Sequence, residues 1–310
     1  MKLFLAGASG LVGSAFARAA ARRGHRVIGT VGTFGGPLEG LTTKLALDLA
    51  NEGATTAAVL DAFPDAIVNC AAVSVPEHCE ANPALAQALN VALPALLARL
   101  AHHVSARLVH ISSEQVFDGK TTKPYTVGDA PSPINLYGRQ KLESERAVAA
   151  AAEKFAVTLR VPLLMGNSAA GQRSHHERLF ADWAAGRSPR LFVDEYRQPC
   201  TAENLAEVIL ELCERNDLHG IFHWAGTELL SRHELGRRIR EHFKLTEKQA
   251  PLESVERADN PAALRKRQAC LALEIAPLAA KLKTRPQALA EQLEELNVPP
   301  ACRGWYLAQS

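Results

Sequence analysis

The sequence predicts an α/β protein built on a doubly wound parallel sheet. Three observations lead there. Short apolar runs at Lys2 to Ala6, Arg26 to Thr30, Ala66 to Ala72, Arg107 to Ser112 and Val157 to Val161 are separated by helix-forming stretches. That alternation makes parallel βαβ units. The first run leads directly into Gly7-Ala8-Ser9-Gly10-Leu11-Val12-Gly13 and an alanine-rich helix to Arg23, so strand, glycine turn and helix stand together at the start of the chain. Finally, 310 residues, 47% of them hydrophobic, suffice for one large core and a smaller lobe.

The glycine turn carries the first functional expectation. Glycines let the backbone turn sharply and approach a ligand, and a helix amino terminus after such a turn binds a pyrophosphate through its free N–H groups. The third glycine lets helix and strand pack closely. The second strand ends at Thr30, followed by Val31-Gly32-Thr33-Phe34-Gly35-Gly36, with neither an acid nor a nearby arginine. A carboxylate there would bind the ribose 2′-hydroxyl of NAD. Its absence points to NADP(H) as the preferred cofactor, with NAD(H) as the alternative.

Further along, Leu45 to Asp48 reads as a third strand ending in an acid, where Asp48 is either a helix cap or a contact to the adenine edge. Asn51 to Phe63 reads as a helix stopped by Pro64. Asn82-Pro83 opens a helix to His103 that Pro94 is expected to kink. Beyond the Val157 strand the alternation fails. Gly166 to Ser174 reads as loop, and Leu179 to Gly186 and Thr201 to Arg215 as helices. Gly220 to Trp224 reads as a strand. Capping boxes at Ser231 to Glu234 and at Thr284 to Gln287 each open a further helix. Trp183 and Trp224 are expected in the core, Glu77 and Glu80 as solvated loop acids, and His175 and His176 as exposed loop residues.

Composition excludes several classes. Lys+Arg of 35 against Asp+Glu of 33 leaves no basic stripe for nucleic acid and no acidic tail. The apolar start MKLFLA is too short for a signal-peptide core, and no run is read as reaching membrane-spanning length. Cys70, Cys79, Cys200, Cys213, Cys270 and Cys302 form no C-x-x-C pair and are read as reduced thiols of a cytoplasmic protein. The adjacent pairs His102–His103 and His175–His176 do not face one site, so no metal is expected.

The central stretch is Ile111 to Glu145, ISSEQVFDGKTTKPYTVGDAPSPINLYGRQKLESE. Ser112 and Ser113 end an apolar run at the carboxyl edge of a parallel sheet, where such sheets bind ligands. Tyr137 and Lys141 share one helix face, a turn apart. A nearby ammonium favours the phenolate, so the Tyr137 pKa is expected to fall, which suits general acid–base work. A serine hydroxyl beside it can hold the oxygen being protonated.

GASGLVG, NCAA at Asn69–Ala72, ISSEQVFDG and YGRQK together resemble the extended short-chain dehydrogenase/reductases. ISSEQVFDG, Lys123-Pro124-Tyr125, Pro133 to Lys141, Glu145 and GIFHWAGTE at Gly220–Glu228 resemble the dTDP-4-dehydrorhamnose reductase subfamily. They resemble equally the regulatory β subunit of methionine adenosyltransferase. The resemblance implies a Rossmann-like sheet and hydride transfer from nicotinamide to the 4-keto group of a nucleotide-linked deoxysugar. It makes Tyr137 the proton donor, Lys141 the ribose ligand and Ser113 the carbonyl-orienting hydroxyl. Gly7, Ser9, Gly10, Leu11, Val12 and Gly13 would line the pyrophosphate. Thr30, Asp48, Leu49, Ala71 and Ala72 would lie along the rest of the cofactor. Val73, Ser113, Glu114, Gln115 and Leu163 would face the substrate.

Two departures stand out. The reductases usually carry Asp-Tyr after the catalytic hydroxyl residue, where this chain has Glu114-Gln115. They also carry a Trp where this chain has Leu163. Leu159-Arg160-Val161-Pro162 looks more like the regulatory subunit. The expected organisation is a dinucleotide-binding domain with the catalytic residues at 1–163. Residues 164–310 then form mainly an α-rich substrate lobe, with some segments returning to the main sheet. The expected partner is a nucleotide-linked sugar, with no nucleic acid and no membrane. The assembly is expected to be a homodimer, or a complex with a partner enzyme if the chain is a non-catalytic regulatory subunit.

Overall fold

The computed structural model describes residues 1–259 and 266–309. Its main element is a seven-stranded sheet of β1 (Lys2–Ala6), β2 (Arg26–Val31), β3 (Thr43–Ala46), β4 (Ala66–Asn69), β5 (Arg107–Ser113), β6 (Ala156–Val161) and β11 (Gly220–His223). The spatial order is β11-β6-β5-β4-β1-β2-β3 and every pairing is parallel. The strand order reverses between β1 and β4, and the crevice at their carboxyl ends is where a doubly wound sheet places its ligand.

Helices cover both faces. On one face α1 (Leu11–Arg22) packs against α8 (Ala202–Glu214), around a core that includes Phe16, Leu205 and Trp224. On the other lie α2 (Glu52–Ala62), α5 (Leu93–His103) and α6 (Leu136–Ala152), around Phe4, Ile67, Leu97 and Leu108. Thus α8 and β11, both beyond residue 164, belong to the main sheet.

The smaller lobe holds α7 (His175–Ala184), α9 (Arg232–His242) and the short strands β8 (Arg190–Phe192), β9 (Tyr196–Arg197), β12 (Leu230–Ser231), β13 (Glu253–Val255) and β14 (Cys270–Leu271). Its core is mainly leucine, gathered around Phe180, which stands edge-on to Trp183 and to Phe243. Trp183 and Trp224 are both buried, and each indole N–H has a partner, the Pro251 carbonyl and the Asn204 side chain respectively.

Several expectations need correction. The third strand lies at Thr43–Ala46, where β3 pairs with β2 from Ile28↔Thr43 to Val31↔Ala46; the Leu47 amide makes a last bond to the Val31 carbonyl, the end of β2, at 2.9 Å. The fourth strand ends at Asn69, whose side chain accepts from the Ala71 amide at 3.2 Å and turns the chain out of the sheet. Glu77 and Glu80 are exposed as expected, yet they sit on a helix, α3 (Pro76–Ala81), with Pro76 at its first turn. The stretch after Asn82 comprises α4 (Pro83–Gln87), a π-helical turn at Ala88–Ala92 and α5. Pro94 has no N–H to donate, and the wide turn ahead of it absorbs the irregularity.

Pro83–His103 is in fact long and apolar enough to cross a membrane by length and composition. Leu93, Leu96, Leu97 and Leu100 are buried within this fold, so here it is a core helix. Thr284 opens no helix, because Glu211 accepts its amide and hydroxyl and the next helix starts at Leu289. His175 and His176 are buried on α7, 4% and 0% exposed, held by Arg232 and by Ser174 and the Asn297 carbonyl.

Candidate active site

A cavity of about 780 Å³ opens between the carboxyl edge of the main sheet and the smaller lobe. The glycine turn forms one end. A side chain at Gly13 would run into the Gly7 carbonyl oxygen, so the helix touches the turn only because Gly13 lacks a Cβ; Gly7 has φ +84°, and a side chain there would strike the Ala71 backbone. The N-cap of α1 is Gly10, which has no side chain to satisfy the first amides of the helix. Those amides are left for an anion. The turn therefore fits a dinucleotide pyrophosphate.

The middle of the cavity is built from β5 and α6. Ser113 ends β5, and its hydroxyl accepts from the Gln115 amide at 3.2 Å. Asn135 caps α6 by accepting from the Gly138 amide at 2.8 Å, and it donates to the Gln115 side chain at 2.9 Å. Gly138 is required here, since any side chain would strike the Gln115 carbonyl. These contacts bring Ser113, Tyr137 and Lys141 to one wall.

Lys141 is 3% exposed and donates to the Ile111 carbonyl at 2.8 Å. Burial pushes its pKa down to about 8, against the opposing pull of Glu145. The expected fall in the Tyr137 pKa does not occur in this structure. Burial pushes the phenol well above its ordinary value, and only the Ser113 hydroxyl acts to lower it. The ammonium lies 5.8 Å from the ring centroid, and desolvation outweighs any help it gives.

Of the residues singled out in the sequence, Gly10, Leu11, Val12, Ala72, Ser112, Ser113, Glu114, Gln115, Tyr137, Lys141 and Leu163 line the cavity, and so do Glu77 and Glu80, which the sequence marked only as solvated acids. Gly7, Ser9, Gly13, Ala71, Thr30, Asp48, Leu49 and Val73 do not. Thr30 is fully buried, accepting from the Gly7 amide at 3.1 Å and donating to the Leu5 carbonyl. It holds the turn and offers no side-chain atom to a ligand. Asp48 is exposed and accepts from the Ala50 amide, while Leu49 packs on the second core. Val73 packs behind Tyr137, with its backbone pinned by Asn90 of the π-helical turn.

The far end was not anticipated. Arg173, Arg178, Arg197, Arg232, Lys266 and Arg267 line the cavity together with Glu77, Glu80, Glu114 and the buried Glu195, so six cations face four acids. Glu195 pairs with Arg197 at 3.3 Å and with Arg267 at 3.5 Å. These cations come from the loop before α7, α7 itself, β9, the start of α9 and the segment before β14, so no local spacing marks them. The surplus of positive charge suits a phosphorylated ligand. Phe192 supplies one aromatic face. Among the described residues no group of three His, Cys, Asp or Glu could hold a metal.

The family described as RmlD substrate binding domain matches residues 1–298. Methionine adenosyltransferase 2 subunit beta of Xenopus laevis is 34% identical over 249 residues, 79% of this chain and 72% of that protein. The probable low-salt glycan biosynthesis reductase Agl14 of Haloferax volcanii is 33% identical over 248 residues, 77% of this chain and 79% of that one. A hypothetical dTDP-4-dehydrorhamnose reductase from Sulfolobus tokodaii superposes with a TM-score of 0.80 at 28% identity, covering 96% of this chain and 100% of the other.

Proposed function

Because the chain belongs to the RmlD substrate binding domain family and is an NAD(P)-dependent oxidoreductase of the extended short-chain type, we propose that it reduces the 4-keto group of a nucleotide-linked deoxysugar, with NADPH the preferred donor. The observation that carries this reading is the convergence of Ser113, Tyr137 and Lys141 midway between a pyrophosphate turn and a wall of arginines.

A nicotinamide dinucleotide held along the glycine turn and Lys141 would supply the hydride for the carbonyl carbon. Tyr137 gives its phenolic proton to the carbonyl oxygen, and Ser113 holds that oxygen by a hydrogen bond. A phenol kept protonated by burial is ready to act as the acid in the reducing direction. Lys141 holds the ribose and stands beside the phenolate left behind. The α1 amino terminus binds the pyrophosphate, and the arginines bind the diphosphate of the sugar nucleotide. Gln115 and Leu163 replace aromatic groups against the sugar, so the sugar preference should differ from that of the aromatic-walled reductases.

A second reading is favoured by the similarity to the methionine adenosyltransferase subunit. In it the chain keeps the dinucleotide and regulates a partner. One experiment separates the two. The purified protein is given NADPH and a panel of nucleotide-linked keto sugars, and oxidation is followed by absorbance. Turnover that drops on Ser113→Ala supports the reductase. Tight NADPH binding without turnover, together with a stoichiometric partner whose kinetics change on binding, replaces it with the regulator.

A further inference from the structure

Tyr137, Lys141 and Glu145 occur four residues apart along α6, on one buried face, with exposures of 7%, 3% and 2%. The carboxylate of Glu145 is fully engaged. It accepts from the Ser112 hydroxyl at 2.5 Å and from Arg160 of β6 at 2.9 and 2.7 Å. Arg160 lies over the Phe117 ring at 4.9 Å and approaches His223 of β11 at 3.4 Å. A buried ion pair of this kind contributes little net stability, because desolvating both charges offsets their attraction. Its placement directly behind the candidate catalytic residues calls for another account.

We propose that Glu145 is a positioning residue that acts on the catalytic set from behind, electrostatically through Lys141 and by a hydrogen bond through Ser112. The proposal rests on the roles given above to Ser113, Tyr137 and Lys141. Ser112 immediately precedes Ser113 on β5, so its bond to Glu145 locks the strand end that presents the Ser113 hydroxyl.

The groups around Lys141 leave Glu145 as the anion that counts. Cys70, after β4, and Cys79, on α3, are thiols that burial pushes upward, Cys70 to about 12. His110 on β5 is held well below its ordinary value by burial and by Lys141 itself. Tyr137 is kept a neutral phenol by burial. Arg160 stands beyond Glu145, and His223, lowered to about 4 by burial, beyond Arg160. Without the Glu145 charge, burial would act unopposed on Lys141, and the ammonium would lose its proton near neutrality.

The test reads Lys141 directly, so it does not depend on finding the right sugar. Protein labelled at lysine nitrogen is titrated by NMR, with the Lys141 signal assigned by its loss in Lys141→Met. The parent should titrate near 8, and Glu145→Gln lower by about one pH unit or more. Glu145→Asp, which keeps the charge, should titrate close to the parent. The double variant Glu145→Leu with Arg160→Met removes both members of the ion pair and retains apolar volume, so the Arg160 guanidinium is not left buried without its carboxylate, and it guards against a single variant that fails to fold. It too should show the lowered titration. Where turnover is found, the alkaline limb of the kcat profile should move the same way. A Lys141 titration unchanged in folded Glu145→Gln or in the double variant overturns the proposal, even if the reductase reading stands. A lowered titration in a protein that reduces no sugar upholds it and counts only against that reading.

Discussion

The carboxylate of Glu114 and the guanidinium of Arg197 lie 3.2 Å apart at the floor of the cleft, with side chains 3% and 7% exposed. The pair does not keep Glu114 in the usual carboxylate range. Burial pushes its pKa up to about 8, Arg197 pulls it down, and Glu195 pushes it up again. In the folded state Glu114 thus holds a proton more tightly than in the unfolded chain. Its contribution to stability is present below the unfolded value of 4.5 and is lost as pH rises through about 8. Glu114→Gln should therefore flatten the fall in melting temperature across that interval. An unaltered slope would show that Glu114 is ionised throughout.

Tyr137→Phe should lower turnover by about 10²–10⁴-fold, the usual worth of a general acid. Dinucleotide affinity, measured by calorimetry, should stay near the parent value, because the phenyl ring keeps the packing with Val73 and Cys79. Turnover within tenfold of the parent, as an order of magnitude, would remove Tyr137 from the acid role.

NADPH should bind more tightly than NADH. β2 ends without a carboxylate to repel a 2′-phosphate, and Thr30 turns its hydroxyl to the Gly7 amide, away from any cofactor. Equal affinities, or a preference for NADH, would mean that another residue reads the ribose.

Arg173→Gln and Arg178→Gln should each raise KM for the nucleotide sugar by about tenfold or more while leaving kcat near the parent value. A charge-assisted hydrogen bond is worth about 1.5–3 kcal/mol, and both side chains line the cavity without a part in the proton transfer assigned to Tyr137. Both are exposed, so the parent KM should also rise with salt. Loss of kcat with KM unchanged would place these arginines outside the diphosphate contact.

How much of the site was legible follows from how local each part is. The glycine turn and the Tyr137–Lys141 pair are each contained within one strand-turn-helix or one helix, so spacing alone put their side chains together. Asp48 and Thr30 were judged from where a strand was expected to end. Strand ends depend on pairing, and the register of β3 with β2 closes at Val31↔Ala46, where β2 itself ends. The Tyr137 pKa is not legible from spacing, because it balances burial against neighbouring groups, and burial exists only in the folded chain.

By itself the sequence determined the doubly wound sheet, the glycine turn and the helix face carrying Tyr137 and Lys141, because period and short-range sterics set each of them. Only the tertiary structure decided what surrounds that face. Arg173, Arg178, Arg197, Arg232, Lys266 and Arg267 meet across one cavity, and Arg160 reaches Glu145 from β6. These contacts join distant segments through the packing of the smaller lobe and the parallel register of the sheet. The same packing removes water from Tyr137, Lys141 and Glu114, and the loss of that water sets which of them holds a proton.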